Sequence, residues 1–144
     1  MAETDLIKAR RMLGEQQLTC VLISGDMVYI SQDRGVKPLL DCYNEKKMPV
    51  GFSAADKVVG KAAAFLYVLL GAKEVYADVL SRPALEVLQR NGIAISYGQL
   101  TDAIKNRAGT GFCPMETAVL SVEDPMQALS AIEKTRIALQ KASL

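Results

Sequence analysis

The sequence predicts a three-layer α-β-α domain built on a mixed sheet with helices on both faces. Three observations carry that expectation. Short apolar runs alternate with helical stretches in the order αββαβαβαβ followed by helices, the pattern of an α/β fold. The turn Ser24-Gly25-Asp26 joins two of the runs as a hairpin, which supplies an antiparallel pair, and the later strand–helix–strand crossovers supply parallel neighbours. The chain has 144 residues, 50% hydrophobic and 23% charged, enough for one domain over residues 1–144 with a substantial core and no sign of disorder.

The elements follow in order. Asp5 to Gly14 is a helix capped by Thr4, and Leu18 to Ile23 is a near-continuous apolar strand, paired through the hairpin with Met27 to Ile30. A second helix begins near Pro38, which needs no backbone donor in a first turn, and runs to about Asn44. Pro49 to Ala54 is a short strand. Asp56 then opens the central helix, apolar almost all round, which stops at Gly71. Glu74 to Leu80 is a strand, Ser81 caps a helix with Pro83 in its first turn, and Ile93 to Tyr97 is a strand. Thr101 caps a short helix through about Asn106. A glycine-rich loop, Ala108 to Phe112, leads into a helix starting at Cys113-Pro114-Met115-Glu116, and Asp124-Pro125 opens the last helix. That helix carries Met126, Leu129, Ile132, Ile137 and Leu139, an apolar face for the sheet or for a partner subunit in a homo-oligomer.

Composition narrows the chemistry. A net charge of +1 with no basic stripe points away from nucleic acid. Glu3 and Asp5 stand where a signal peptide needs positive charge. The most apolar stretch, Val58 to Leu70, is broken by Gly60 and Lys61 and is shorter than the ~20 residues of a membrane span. A cytoplasmic protein with no membrane partner is expected. Cys20, Cys42 and Cys113 read as reduced thiols rather than a disulfide framework. There is no histidine, which removes His-based zinc sites, Ser-His and Cys-His pairs and imidazole acid/base work.

The segment Ser53-Ala54-Ala55-Asp56-Lys57-Val58-Val59-Gly60-Lys61 resembles the first active-site strand and helix of cytidine deaminase-like proteins. Ser81-Arg82-Pro83-Ala84-Leu85-Glu86 resembles the second. Over roughly residues 18–130 the chain is similar to a small bacterial family of unknown function in that superfamily. The most specific pieces are Arg34-Gly35-Val36-Lys37-Pro38-Leu39-Leu40, Asp56 to Lys61, and Gly109-Thr110-Gly111-Phe112-Cys113-Pro114-Met115-Glu116. The resemblance implies a fold and a site location. It also marks a departure, because true deaminases hold zinc with a His/Cys-x-Glu triplet and a Pro-Cys-x-x-Cys motif. Here those positions read Asp56-Lys57-Val58 and Pro83-Ala84-Leu85-Glu86-Val87, with no metal ligand set, so no cofactor and no zinc-hydroxide deamination are expected.

The remaining candidates are few. Cys113 precedes Pro114 at a helix start, where backbone N–H groups stabilise a thiolate; Glu116 holds the last place of a capping-box spacing. The alternative is a Cys113 that merely caps or packs. Asp56 at the helix start, with Lys57 and Lys61 a turn apart, would attract an anion, or both lysines reach water at the rim. Arg34 offers a guanidinium fork, a role only the resemblance favours over a surface arginine. Thr110 and Gly111 offer backbone donors, though no Walker motif follows. These compose a site for a small anionic, nucleotide- or phosphate-like ligand at the carboxyl ends of the strands. Cys113 would be its nucleophile, Asp56 and Lys57 would handle protons, and Lys61, Arg34, Thr110, Gly111 and Glu116 would bind the ligand. The alternative is a non-catalytic ligand-binding or regulatory module on the same fold.

Overall fold

The computed structural model describes residues 3–33, 35–105 and 113–142. The chain runs α1 (Asp5–Glu15), β1 (Cys20–Ser24), β2 (Met27–Ser31), α2 (Lys37–Glu45), β3 (Ser53–Val59), α3 (Lys61–Leu70), β4 (Glu74–Ser81), α4 (Arg82–Arg90), β5 (Ala94–Thr101), α5 (Pro114–Ala118) and α6 (Pro125–Ala142). The five strands form one sheet in the order β2-β1-β3-β4-β5. β1 is antiparallel to both of its neighbours, and β3, β4 and β5 are mutually parallel. The mixed three-layer sheet expected from the sequence is the one observed.

Burial explains the layering. The crossovers through α3 and α4 carry the chain along the sheet in one direction, so both helices lie on the same face. There, Leu22, Phe52, Phe65, Leu66, Tyr67, Leu80 and Leu88 form the main core with Leu39 and Leu40 of α2 and Ile132 of α6. Each fully buried Leu or Phe contributes about 1.5–3 kcal/mol relative to exposure. On the other face α1 packs Ala9 and Leu13 on Leu18, Val21, Ile23 and Ala55.

Local chemistry sets most element ends as expected. Thr4 Oγ1 accepts from Ile7 N at 3.2 Å, Ser81 Oγ from Ala84 N at 3.2 Å, and Asp124 Oδ2 from Gln127 N at 3.0 Å. Gly71 closes α3 at φ 80°, a left-handed position that glycine adopts freely.

Three boundaries differ. The strand expected at Pro49 to Ala54 lies at Ser53–Val59 instead, and Asp56 and Lys57 belong to it rather than to the central helix. The reason is the β-branched pair Val58-Val59, which extends the strand, after which Gly60 provides the turn into α3. No helix starts at Thr101: β5 continues to that residue, and 102–105 carry no helix. α1 runs through Gly14 to Glu15. Among the described residues, no helix is long and apolar enough to cross a membrane.

Candidate functional site

The carboxyl ends of β3 and β4 lead directly into α3 and α4. The α4 end is capped locally by Ser81. The α3 end cannot be, because its N-cap is Gly60, which has no side chain. Its free amides are satisfied from a distance instead: Lys61 N donates to Glu116 Oε1 at 2.6 Å and Ala62 N to Glu116 Oε2 at 2.9 Å. One carboxylate thus spans two orphan donors at the positive end of the helix dipole. The missing Cβ at Gly60 leaves room for this approach, since a Cβ there would displace the Glu116 carboxylate. Glu116 does not close a capping box on its own helix. The Cys113 N–H donates to Ile104 O at 3.0 Å, and Glu116 turns to α3.

Lys61 is drawn inward by the same docking. Its ammonium donates to Leu120 O at 3.0 Å and lies 3.5 Å from Glu123, which also pairs with Arg90 at 3.0 Å. The bond from Arg90, aided by Lys61, holds the Glu123 carboxyl below its ordinary range. Lys61 therefore ties α3 to the turn after α5. Lys57 is an exposed residue of β3, while Asp56 beside it faces α3. Lys57 and Lys61 are not a turn apart on one helix; Lys57 belongs to β3 and Lys61 to the first turn of α3.

Asp56 is nine-tenths buried. Its Oδ2 accepts from the Tyr67 hydroxyl at 2.7 Å and its Oδ1 from Val58 N at 3.3 Å. Tyr67 Oη in turn lies 3.8 Å from Cys20 Sγ, and Cys20 is paired opposite Asp56 across β1 and β3. Burial pushes the Asp56 carboxyl up to about 7, against the pull of the Tyr67 hydrogen bond. Burial also pushes the Cys20 thiol and the Tyr67 phenol well up, with the Asp56 charge adding to both. This Cys20–Tyr67–Asp56 cluster joins β1, β3 and α3 where the sheet switches from antiparallel to parallel pairing. Neither Cys20 nor Tyr67 stands out as a site residue in the sequence alone. The available signal was Tyr67 itself: a phenol in a helix apolar on every side needs a buried polar partner.

Cys113 is the N-cap of α5 and half-exposed, and its side chain makes no capping bond. Its carbonyl accepts from Thr117 N at 3.0 Å. The Glu116 bonds bring α5 against the start of α3, so Cys113, Glu116 and Lys61 share one end of the fold. Burial raises the pKa of both Cys20 and Cys42, which leaves Cys113 as the thiol nearest to solvent. Arg34, Thr110 and Gly111 lie outside the described residues. Arg82, next to the α4 cap, pairs with Asp102 at 2.8 Å. Among the described residues, no three His, Cys, Asp or Glu side chains gather closely enough to hold a metal ion.

Two clefts lie away from this end. One, of about 380 Å³, is lined by Ile7, Arg10, Leu13, Tyr76 and Asp78 between α1 and β4, with the Arg10 guanidinium 4.0 Å above the Tyr76 ring. The other, of about 520 Å³, lies at the amino end of β3 between Tyr43, Met48, Val50 and Leu69.

Comparison with known proteins places the chain. No curated protein matches it. The crystal structure of a DUF1893 family protein, TM1506 from Thermotoga maritima, superposes with a TM-score of 0.79 at 29% identity, covering 98% of this chain and 92% of that one. The family model described as TM1506, a domain of unknown function (DUF1893), matches residues 8–135, and the chain belongs to that family.

Proposed function

We propose that the protein is a small-molecule-binding module whose site lies at the carboxyl ends of β3 and β4, and that the ligand is polar but uncharged. The observation that carries this reading is the Glu116 carboxylate on the Lys61 and Ala62 amides. A helix start is where an open α/β fold would take an anion, and here the chain supplies its own. Lys61, the second anchor expected for an anion, is engaged by Leu120 O and Glu123. A further negative group would meet a fixed carboxylate rather than free donors. A module of this kind on a deaminase-like scaffold needs no zinc ligand and no activated nucleophile, which accords with the residues at the two motif positions.

Calorimetric titration with uridine and with its 5′-monophosphate tests the reading, because the two differ only in the phosphate. The expected result is that uridine binds at least as tightly as its monophosphate, with dissociation constants unchanged by Cys113→Ala. A monophosphate tighter by more than about tenfold would restore the anion site. Failure of both to bind would remove nucleosides as the ligand class. Rapid alkylation of Cys113 with an apparent pKa well below the free-thiol value of ~8.5 would favour an enzyme with a Cys113 nucleophile.

A further inference from the structure

Among the described residues, the β2 edge of the sheet has none of the sequence devices that normally keep a strand edge from pairing. Residues 27–31 read Met-Val-Tyr-Ile-Ser, with no charge, no proline and no glycine. Three of these five side chains are large, apolar and exposed: Met27 at 49%, Val28 at 42% and Ile30 at 47%. Their placement follows from the register. Val28 is opposite Ile23 and Ile30 opposite Val21, and Val21 and Ile23 are covered by α1. Val28 and Ile30 therefore extend the apolar surface under α1 one strand beyond the reach of that helix. Tyr29, on the alternate face, packs on the main core.

From this edge we infer that the protein forms a two-fold symmetric dimer by antiparallel pairing of β2 with β2 of a second copy, giving one continuous ten-stranded sheet. The occupant is a second copy because the strand is complementary to itself. About a two-fold axis at Tyr29, Val28 of each copy faces Ile30 of the other, and Met27 faces Ser31. The flanking acids do not oppose one another, since Asp26 meets Gln32 and Asp33 meets Gly25. An axis normal to the sheet keeps both α1 helices on one face, so the paired Val28 and Ile30 side chains fill the gap between them. The opposite edge is a poorer partner. β5 includes Ser96, Gly98, Gln99 and Thr101, and pairing β2 with it would make an open filament rather than a closed dimer.

Sedimentation equilibrium of the full chain tests the inference. Wild type is expected to be a dimer at micromolar concentration. Val28→Lys and Ile30→Lys should each weaken association by about tenfold or more, with circular dichroism unchanged because both positions are half-exposed. An equimolar mixture of V28K and I30E chains should recover dimer, since the register places each new lysine against a new glutamate. A wild-type monomer, or a dimer indifferent to both lysines, would overturn the proposal; the second outcome would place the contact elsewhere. Should either lysine variant unfold, Val28→Thr and Ile30→Thr make the same test with a smaller expected effect.

Discussion

At Asp56, burial outweighs a short hydrogen bond, and the balance sets a pH dependence. Below about pH 4 the folded and unfolded chains both hold the proton. Between the ordinary value of 3.8 and the raised value of about 7, only the folded chain holds it. Stability therefore falls as pH rises through that window, by at most on the order of 4 kcal/mol for this group, and levels off above it. Asp56→Asn should abolish this part of the decline in thermal unfolding followed across pH. Tyr67→Phe should leave the start of the decline in place and extend it to higher pH, because the lost hydrogen bond is what lowers the carboxyl in the folded chain. Glu116 offers a second measurement. Glu116→Ala should cost about 1–3 kcal/mol in denaturant unfolding, because two helix-start amides lose their acceptor. Gly60→Ala should cost a similar amount through overpacking against the Glu116 carboxylate. In the Glu116→Ala background the Gly60→Ala penalty should largely vanish, the coupling expected of two positions in direct contact.

The elements were legible where local chemistry alone fixes them. Thr4, Ser81, Pro83, Gly71 and the Gly25 turn act within a few residues, and the structure uses each as the sequence indicates. The start of α3 was not legible, for a physical reason. Its cap comes from Glu116, 55 residues away, so no local pattern marks it. In its absence Asp56 looks like a helix-opening acid, and Lys57 looks one turn from Lys61. Glu116 stands at a capping-box spacing, but that spacing points to its own helix and not to α3, which it caps. Lys61 follows the same logic: on an apolar helix it looks free for a ligand, yet the turn after α5 takes it. Lys61→Ala should therefore lower stability by about 1–3 kcal/mol, because the Leu120 carbonyl loses its donor. Lys61→Met, which keeps an apolar chain of similar length at this buried position, should lose less.

Over the whole molecule, alternation of strands and helices carried the layer order, and the hairpin carried one of the two antiparallel pairings, β1 with β2 but not β1 with β3. The site did not follow as readily, because it depends on which buried polar groups meet across the sheet. Cys20, Tyr67 and Asp56 are 11 to 47 residues apart in pairs and converge only through the β1–β3 register and the packing of α3. At this scale the helix start at the carboxyl edge is filled by the chain's own carboxylate. Amide chemical shifts of Lys61 and Ala62 during a titration with inorganic phosphate test it most directly. In wild type both shifts should stay in place while in Glu116→Ala they move saturably. A saturable movement in wild type at comparable phosphate would show that the helix start is open to an external anion and would contradict the account.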